Sequence, residues 1–193
     1  MSRLGQTPSQ TVGPFFHMRL GEPATHLLVS PGARGAIRIE GRVLDGGGEP
    51  VSDALVELWQ ADAEGRYCHP RDRWPPARGG FTGFGRSATD AEGAYAFETQ
   101  KPGRVRAGPG DGKGALQAPH ASLVVLARGL LAHLYTRVYF ADEAEANAGD
   151  PVLAQVPPAR RRTLIAVRAP GSALIYRHDV VLQGADETVF FNV

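Results

Sequence analysis

The sequence predicts an all-β fold, a β-sandwich of about eight strands with long loops and short helical turns. Three observations carry this. Glycine and proline are abundant, at 24 and 15 residues. Short runs of alternating apolar and polar residues recur between them. No long amphipathic or heptad run interrupts the series. A chain of 193 residues, 42% hydrophobic and 21% charged, suits one domain with a substantial core. Residues 1–35 are expected to be an arm and loop that docks on a partner or on the chain's own core. Residues 36–193 are expected to form the single sandwich domain.

The elements follow in order. The arm carries Val12, Phe15 and Phe16 beside Gly13-Pro14. Apolar aromatics gain roughly 1.5–3 kcal/mol each on burial, so the arm should dock. Gly13 before proline admits an unusual backbone turn. Residues 21–35 read as loop. Residues 36–44 alternate and form the first strand, and Asp45-Gly46-Gly47-Gly48 turns it. Residues 54–60 are a second strand, with Leu55, Glu57 and Trp59 on one face and Val56 and Leu58 on the other.

Residues 66–83, with Tyr67, Cys68, His69 and Trp74, read as a long functional or interface loop. A third strand is expected over 94–99. Five glycines in 103–119 mark a second long loop. Strands are expected over 121–127, 130–140, 163–167, 173–182 and 188–192. Short helical turns are expected over 142–147, with acidic residues in the first turn, and over 157–162, opened by proline.

Charge and cysteine content narrow the function. Net charge is +1, so no strong field points to nucleic acid. There are 19 Arg against two Lys, and arginine forks suit carboxylate ligands. One cysteine, Cys68, gives neither an internal disulfide nor a thiolate zinc site. No N-terminal apolar segment of the secretory kind occurs, and no apolar run approaches the ~18 residues of a membrane span. The expectation is a soluble, cytoplasmic protein without nucleic-acid or membrane partners.

Nucleophile and phosphate motifs are missing. There is no Gly-x-Ser-x-Gly, and the glycines of 103–114 lack the Lys-Ser/Thr ending of a P-loop. Metal ligation is the remaining candidate. Tyr67 and His69 lie in one loop and His120 at the head of a strand, and phenolate with imidazole suits a ferric centre. Residues two apart on a strand share a face, so a His at both 120 and 122 would offer two imidazoles to one ion. The chain has His120 and Ser122. Taken alone, the residues favour a Tyr67 that packs at an interface and a His120 that caps a loop.

Several segments, in order and spacing, resemble the intradiol ring-cleavage dioxygenases, specifically the protocatechuate 3,4-dioxygenase family. They are Thr7-Pro8-Ser9-Gln10-Thr11-Val12-Gly13-Pro14-Phe15, Val56-Glu57-Leu58-Trp59-Gln60 through Tyr67, Phe84-Gly85-Arg86, Lys101-Pro102-Gly103, Ala118-Pro119-His120, and Thr136-Arg137-Val138-Tyr139-Phe140. Together they cover nearly the whole chain.

The resemblance implies an enzyme built of related alpha and beta chains, whose beta chain holds non-haem Fe(III) through two Tyr and two His. Tyr67 matches the first Tyr. The second is expected just after Lys-Pro-Gly, where this chain has Val105 between two arginines. The His pair falls on His120 and Ser122. The chain is therefore similar to the iron-free alpha chain, with Tyr67 and His120 as a remnant and with ligands lost at Val105 and Ser122. It is expected to bind no metal and to hold no catalytic residue by itself.

By the same resemblance, Thr11, Gly13, Pro14 and Arg128 wall the substrate pocket of an iron-bearing beta chain, within a larger oligomer of alpha–beta pairs. There protocatechuate and O2 give 3-carboxy-cis,cis-muconate. Arg128 is expected to pair with the substrate carboxylate or with an acidic group that holds its loop. Two other readings are a self-sufficient dioxygenase that recruits His69 or Tyr135 as ligands, and a transthyretin-like binding or assembly module suggested by 37–65 and 90–103.

Overall fold

A computed structural model describes residues 5–13, 16, 20, 25–30, 32–70, 81–106, 114–172 and 174–192. The expectations placed on Pro14, Phe15, Trp74 and part of each long loop lie outside these residues. Nine strands form: β1 (Ala36–Leu44), β2 (Leu55–Gln60), β3 (Phe84–Ala88), β4 (Ala94–Gln100), β5 (His120–Leu126), β6 (Leu134–Phe140), β7 (Ile165–Arg168), β8 (Ile175–Arg177) and β9 (Val180–Val181). One short helix, α1 (Ala144–Ala148), and 3-10 turns at Ala141–Glu143, Leu153–Gln155 and Pro158–Leu164 complete the described elements.

The all-β expectation holds, and the layers are continuous. The strands run in the order β3-β2-β5-β6-β7-β8-β1-β4, with β9 beside β1. The sheet bends through β7, which pairs parallel to β6 and antiparallel to β8. Its two halves then face each other. Ile39 of β1, Phe97 of β4 and Tyr176 of β8 meet Val56 and Leu58 of β2, Leu123 and Val125 of β5, and Val138 and Phe140 of β6 in one buried cluster. Alternation in β1, β2 and β4 sends these side chains inward, which is why their sequence patterns are legible.

The outer ends of the sheet are joined by a segment that the sequence reading assigned to loop. Arg86 N of β3 donates to Thr25 O (3.1 Å), and Thr25 Oγ1 donates to Arg86 O (3.0 Å). On the other side, Leu28 N donates to Glu98 O of β4 (2.8 Å) and Glu98 N donates to His26 O (3.0 Å). Residues 25–28 thus close the seam between β3 and β4. Leu28 packs on the core. Gly85 makes room for this closure: a Cβ there would lie 2.5 Å from Leu28 Cδ1 and 2.9 Å from Thr25 O.

Other boundaries shift. Strand β6 begins at Leu134 rather than residue 130, because the chain turns at 127–130, where Leu130 N donates to Ala127 O. The expected strand over 173–182 breaks at His178-Asp179 into β8 and β9. Residues 163 and 164 belong to the 3-10 turn rather than to a strand. The expected strand over 188–192 does not form. That segment instead makes single contacts, Thr188 N to Val181 O and Phe191 N to Tyr135 O.

Candidate functional site: the outer face of strands β2, β5 and β6

Directly paired residues of antiparallel strands point to the same face. The β2–β5 ladder pairs Trp59 with Ser122, and the β5–β6 ladder pairs Ser122 with Arg137 and His120 with Tyr139. These residues therefore share the outer face, opposite the core residues Leu58, Leu123 and Val138. Tyr67 lies flat on Trp59, with ring centroids 5.8 Å apart and planes 10° apart. Val105 is buried and its carbonyl accepts Gln117 N at 2.7 Å, three residues before His120. The four positions singled out by the family resemblance, 67, 105, 120 and 122, are thus brought to one region of the sheet. His69 is exposed, two residues past Tyr67.

The region is densely hydrogen-bonded. His120 is buried, and its Nδ1 lies 2.8 Å from Ala118 O. A carbonyl only accepts, so Nδ1 carries the proton and Nε2 the lone pair. Burial, then the nearby Arg137 charge, lowers the imidazole pKa to about 4, so it is neutral near pH 7. Ser122 Oγ is 2.8 Å from Tyr135 Oη. Arg137 Nη1 donates to Gln117 Oε1 at 2.6 Å and to Tyr139 Oη at 3.3 Å.

Burial opposes the Arg137 charge, but hydrogen bonding to Tyr139 and the neighbouring tyrosines more than offsets it, and its pKa is raised. The buried Asp150 carboxylate accepts Ala118 N (2.8 Å), Leu153 N (2.8 Å) and Tyr139 Oη (3.2 Å). Burial pushes the Tyr139 hydroxyl well above its ordinary range, so it stays protonated and able to donate.

This donor set does not fit a ferric ion. Val105 offers no ligand atom, and the Ser122 hydroxyl is engaged by Tyr135. A permanent guanidinium cation stands directly across from Ser122. Among the described residues, no group of three or more His, Cys, Asp or Glu is placed to hold a metal.

The candidate wall residues lie elsewhere. Thr11 Oγ1 accepts Gly129 N at 2.8 Å, which docks the arm on the loop after β5. Gly13 is exposed and outside the left-handed region, and a Cβ on it would meet nothing within 4 Å. The Gly13 carbonyl accepts Phe16 N at 3.3 Å. Arg128 is 61% exposed and its Nε donates to Asp53 Oδ2. Of the two partners the sequence left open, the described structure supplies the acidic group. Sequence reasoning passed over Asp53, Arg137, Gln117 and Asp150.

A cleft of about 790 Å³ opens over the β3–β4 seam. Its Arg38, Arg86 and Arg177 are paired with Glu40 and Glu98, Glu57, and Glu40 respectively, and it holds none of the residues above. No described helix is long and apolar enough to cross a membrane.

A family model described as "Dioxygenase" matches residues 13–184. The protocatechuate 3,4-dioxygenase alpha chain of Burkholderia cepacia is 46% identical, over 100% of this chain and 100% of its own. The beta chain of the same organism is 37% identical, over 93% of this chain and 77% of its own. The crystal structure of catechol 1,2-dioxygenase from Pseudomonas arvilla C-1 shares the fold at TM-score 0.60 and 22% identity, over 83% of this chain and 56% of that one.

Proposed function

Because this chain belongs to the intradiol dioxygenase family, we propose that it is the alpha subunit of a protocatechuate 3,4-dioxygenase. In that role it completes the substrate pocket of a beta chain that holds Fe(III). Its partner is that iron-bearing beta chain, in alpha–beta pairs within a larger oligomer. The substrates are protocatechuate and O2, the product is 3-carboxy-cis,cis-muconate, and the enzyme works in the cytoplasm. Family membership and the match over 13–184 favour this over a transthyretin-like module.

One observation carries the reading. The outer face of β5 bears two separate features: the degenerate metal-site positions at His120 and Ser122, and Arg128 beyond the strand's end. Ser122 and Arg128 are six residues apart, on the order of 20 Å in extended chain. One dihydroxybenzoate is too small to touch both. An Arg128 that binds substrate therefore serves a metal held by another chain.

In this reading the chain's residues bind and shape rather than react. Arg128 receives the substrate carboxylate, and Thr11, Gly13 and Pro14 border the ring. Ferric iron in the beta chain supplies the oxidative chemistry of ring opening. Thr11 fixes the loop that carries Arg128 through its bond to Gly129.

Metal analysis tests the proposal. The chain purified alone should carry no stoichiometric iron and no ferric–phenolate absorption, and the pair co-purified with its beta chain should carry both. Stoichiometric iron in the chain alone would favour the self-sufficient enzyme and sink the proposal.

A further inference from the structure

Resting on the reading of Arg128 as a wall of the partner's pocket, we propose that Asp53 is a positioning residue that presents the Arg128 guanidinium to the substrate carboxylate. The β2–β5 ladder ends at Leu55↔Leu126. Continuing that register by two residues sets Asp53 opposite Arg128 on the same face. The Asp53 side chain is 19% exposed and that of Arg128 61%. The anchored partner is therefore the carboxylate.

Asp53 is anchored through its loop. Thr89 Oγ1, on a buried side chain, donates to Val51 O at 2.7 Å and accepts Ala54 N at 3.0 Å. Val51 N donates to Val43 O at 2.9 Å. The other side of Arg128 is held by the Thr11 bond to Gly129 N.

The edge of the guanidinium that Asp53 takes decides its role. Oδ2 accepts from Nε. Nη1 and Nη2 have no partner among the described residues. A guanidinium presents its donors in a planar fork, so the free nitrogens can receive a carboxylate while Nε stays bound. Arginine has many rotamers to lose on binding a ligand. A guanidinium already held by Asp53 loses fewer. A pure competitor for the substrate carboxylate would instead engage the terminal nitrogens.

The test uses the alpha–beta complex, with assembly checked by gel filtration and turnover followed by oxygen uptake. Asp53→Ala and Asp53→Asn should raise KM for 3,4-dihydroxybenzoate by about three- to ten-fold, with kcat within about two-fold. The inhibition constant of catechol, which lacks the carboxylate, should not move. Adding Asp53→Ala to Arg128→Ala should have no further effect.

If Arg128→Ala raises KM while the Asp53 variants leave it unchanged or lower it, the inference is overturned and the wall reading stands. If the Asp53 variants weaken catechol and dihydroxybenzoate alike, Asp53 is merely structural and the inference is again overturned. If Arg128→Ala changes nothing, the wall reading itself fails and takes the inference with it.

Discussion

Arg137 faces Ser122 directly across the β5–β6 ladder, and its guanidinium donates to Gln117 at 2.6 Å. A fixed cation with its own hydrogen-bond partners therefore stands on the face that carries His120 and Ser122. On the proposed reading, this site is more than a loss of two ligands. Gln117, Tyr139 and Asp150 have become a closed polar network around a positive charge.

Restoring ligands without removing that charge should fail. The double variant Val105→Tyr, Ser122→His is expected to take up no stoichiometric Fe(III) while Arg137 remains. Metal analysis and the visible ferric–phenolate band check this. A coloured double variant with one iron per chain would show that Arg137 does not govern the site.

Acid should destabilise the chain through two buried imidazoles. Burial lowers both His120 and His178 to about 4, against an ordinary value of 6.5. A histidine whose folded pKa is depressed binds its proton more readily when unfolded. Stability is full above about pH 6.5 and falls as pH drops toward 4. Between pH 7 and 5 the pair should remove roughly 3–4 kcal/mol. Urea unfolding at the two pH values measures it, and His120→Gln should roughly halve the difference. A flat profile would contradict the burial of both rings.

The seam closure should depend on Gly85. A valine there would force apart Leu28 and the Thr25 carbonyl, which are 2.5 and 2.9 Å from a built Cβ. Gly85→Val should cost about 2–3 kcal/mol, read as a lowered urea midpoint. An unchanged midpoint would mean that residues 25–28 contribute little to closing the sheet.

Much of this was legible in the sequence where one face of a strand is buried. β1, β2 and β4 alternate because their inner residues meet the core, β5 is buried almost throughout, and all four were placed to within a residue. β3 was missed because Phe84-Gly85-Arg86-Ser87-Ala88 is a short strand with a central glycine and only one buried residue. Residues 25–28 were missed because a short segment pairs only when the two distant sheet ends meet. Their run His26-Leu27-Leu28-Val29 was the available signal. At the site, the family resemblance pointed to Tyr67, Val105, His120 and Ser122. It did not point to Arg137 or Asp53, since the partner of a charged side chain is a property of the folded register.

The most direct measurement is oxygen uptake by the beta chain with 3,4-dihydroxybenzoate, in the presence and absence of this chain. The account predicts ring cleavage at low substrate only when both chains are present. A beta chain that turns over just as well alone, with the same KM, would contradict the claim that this chain completes the pocket.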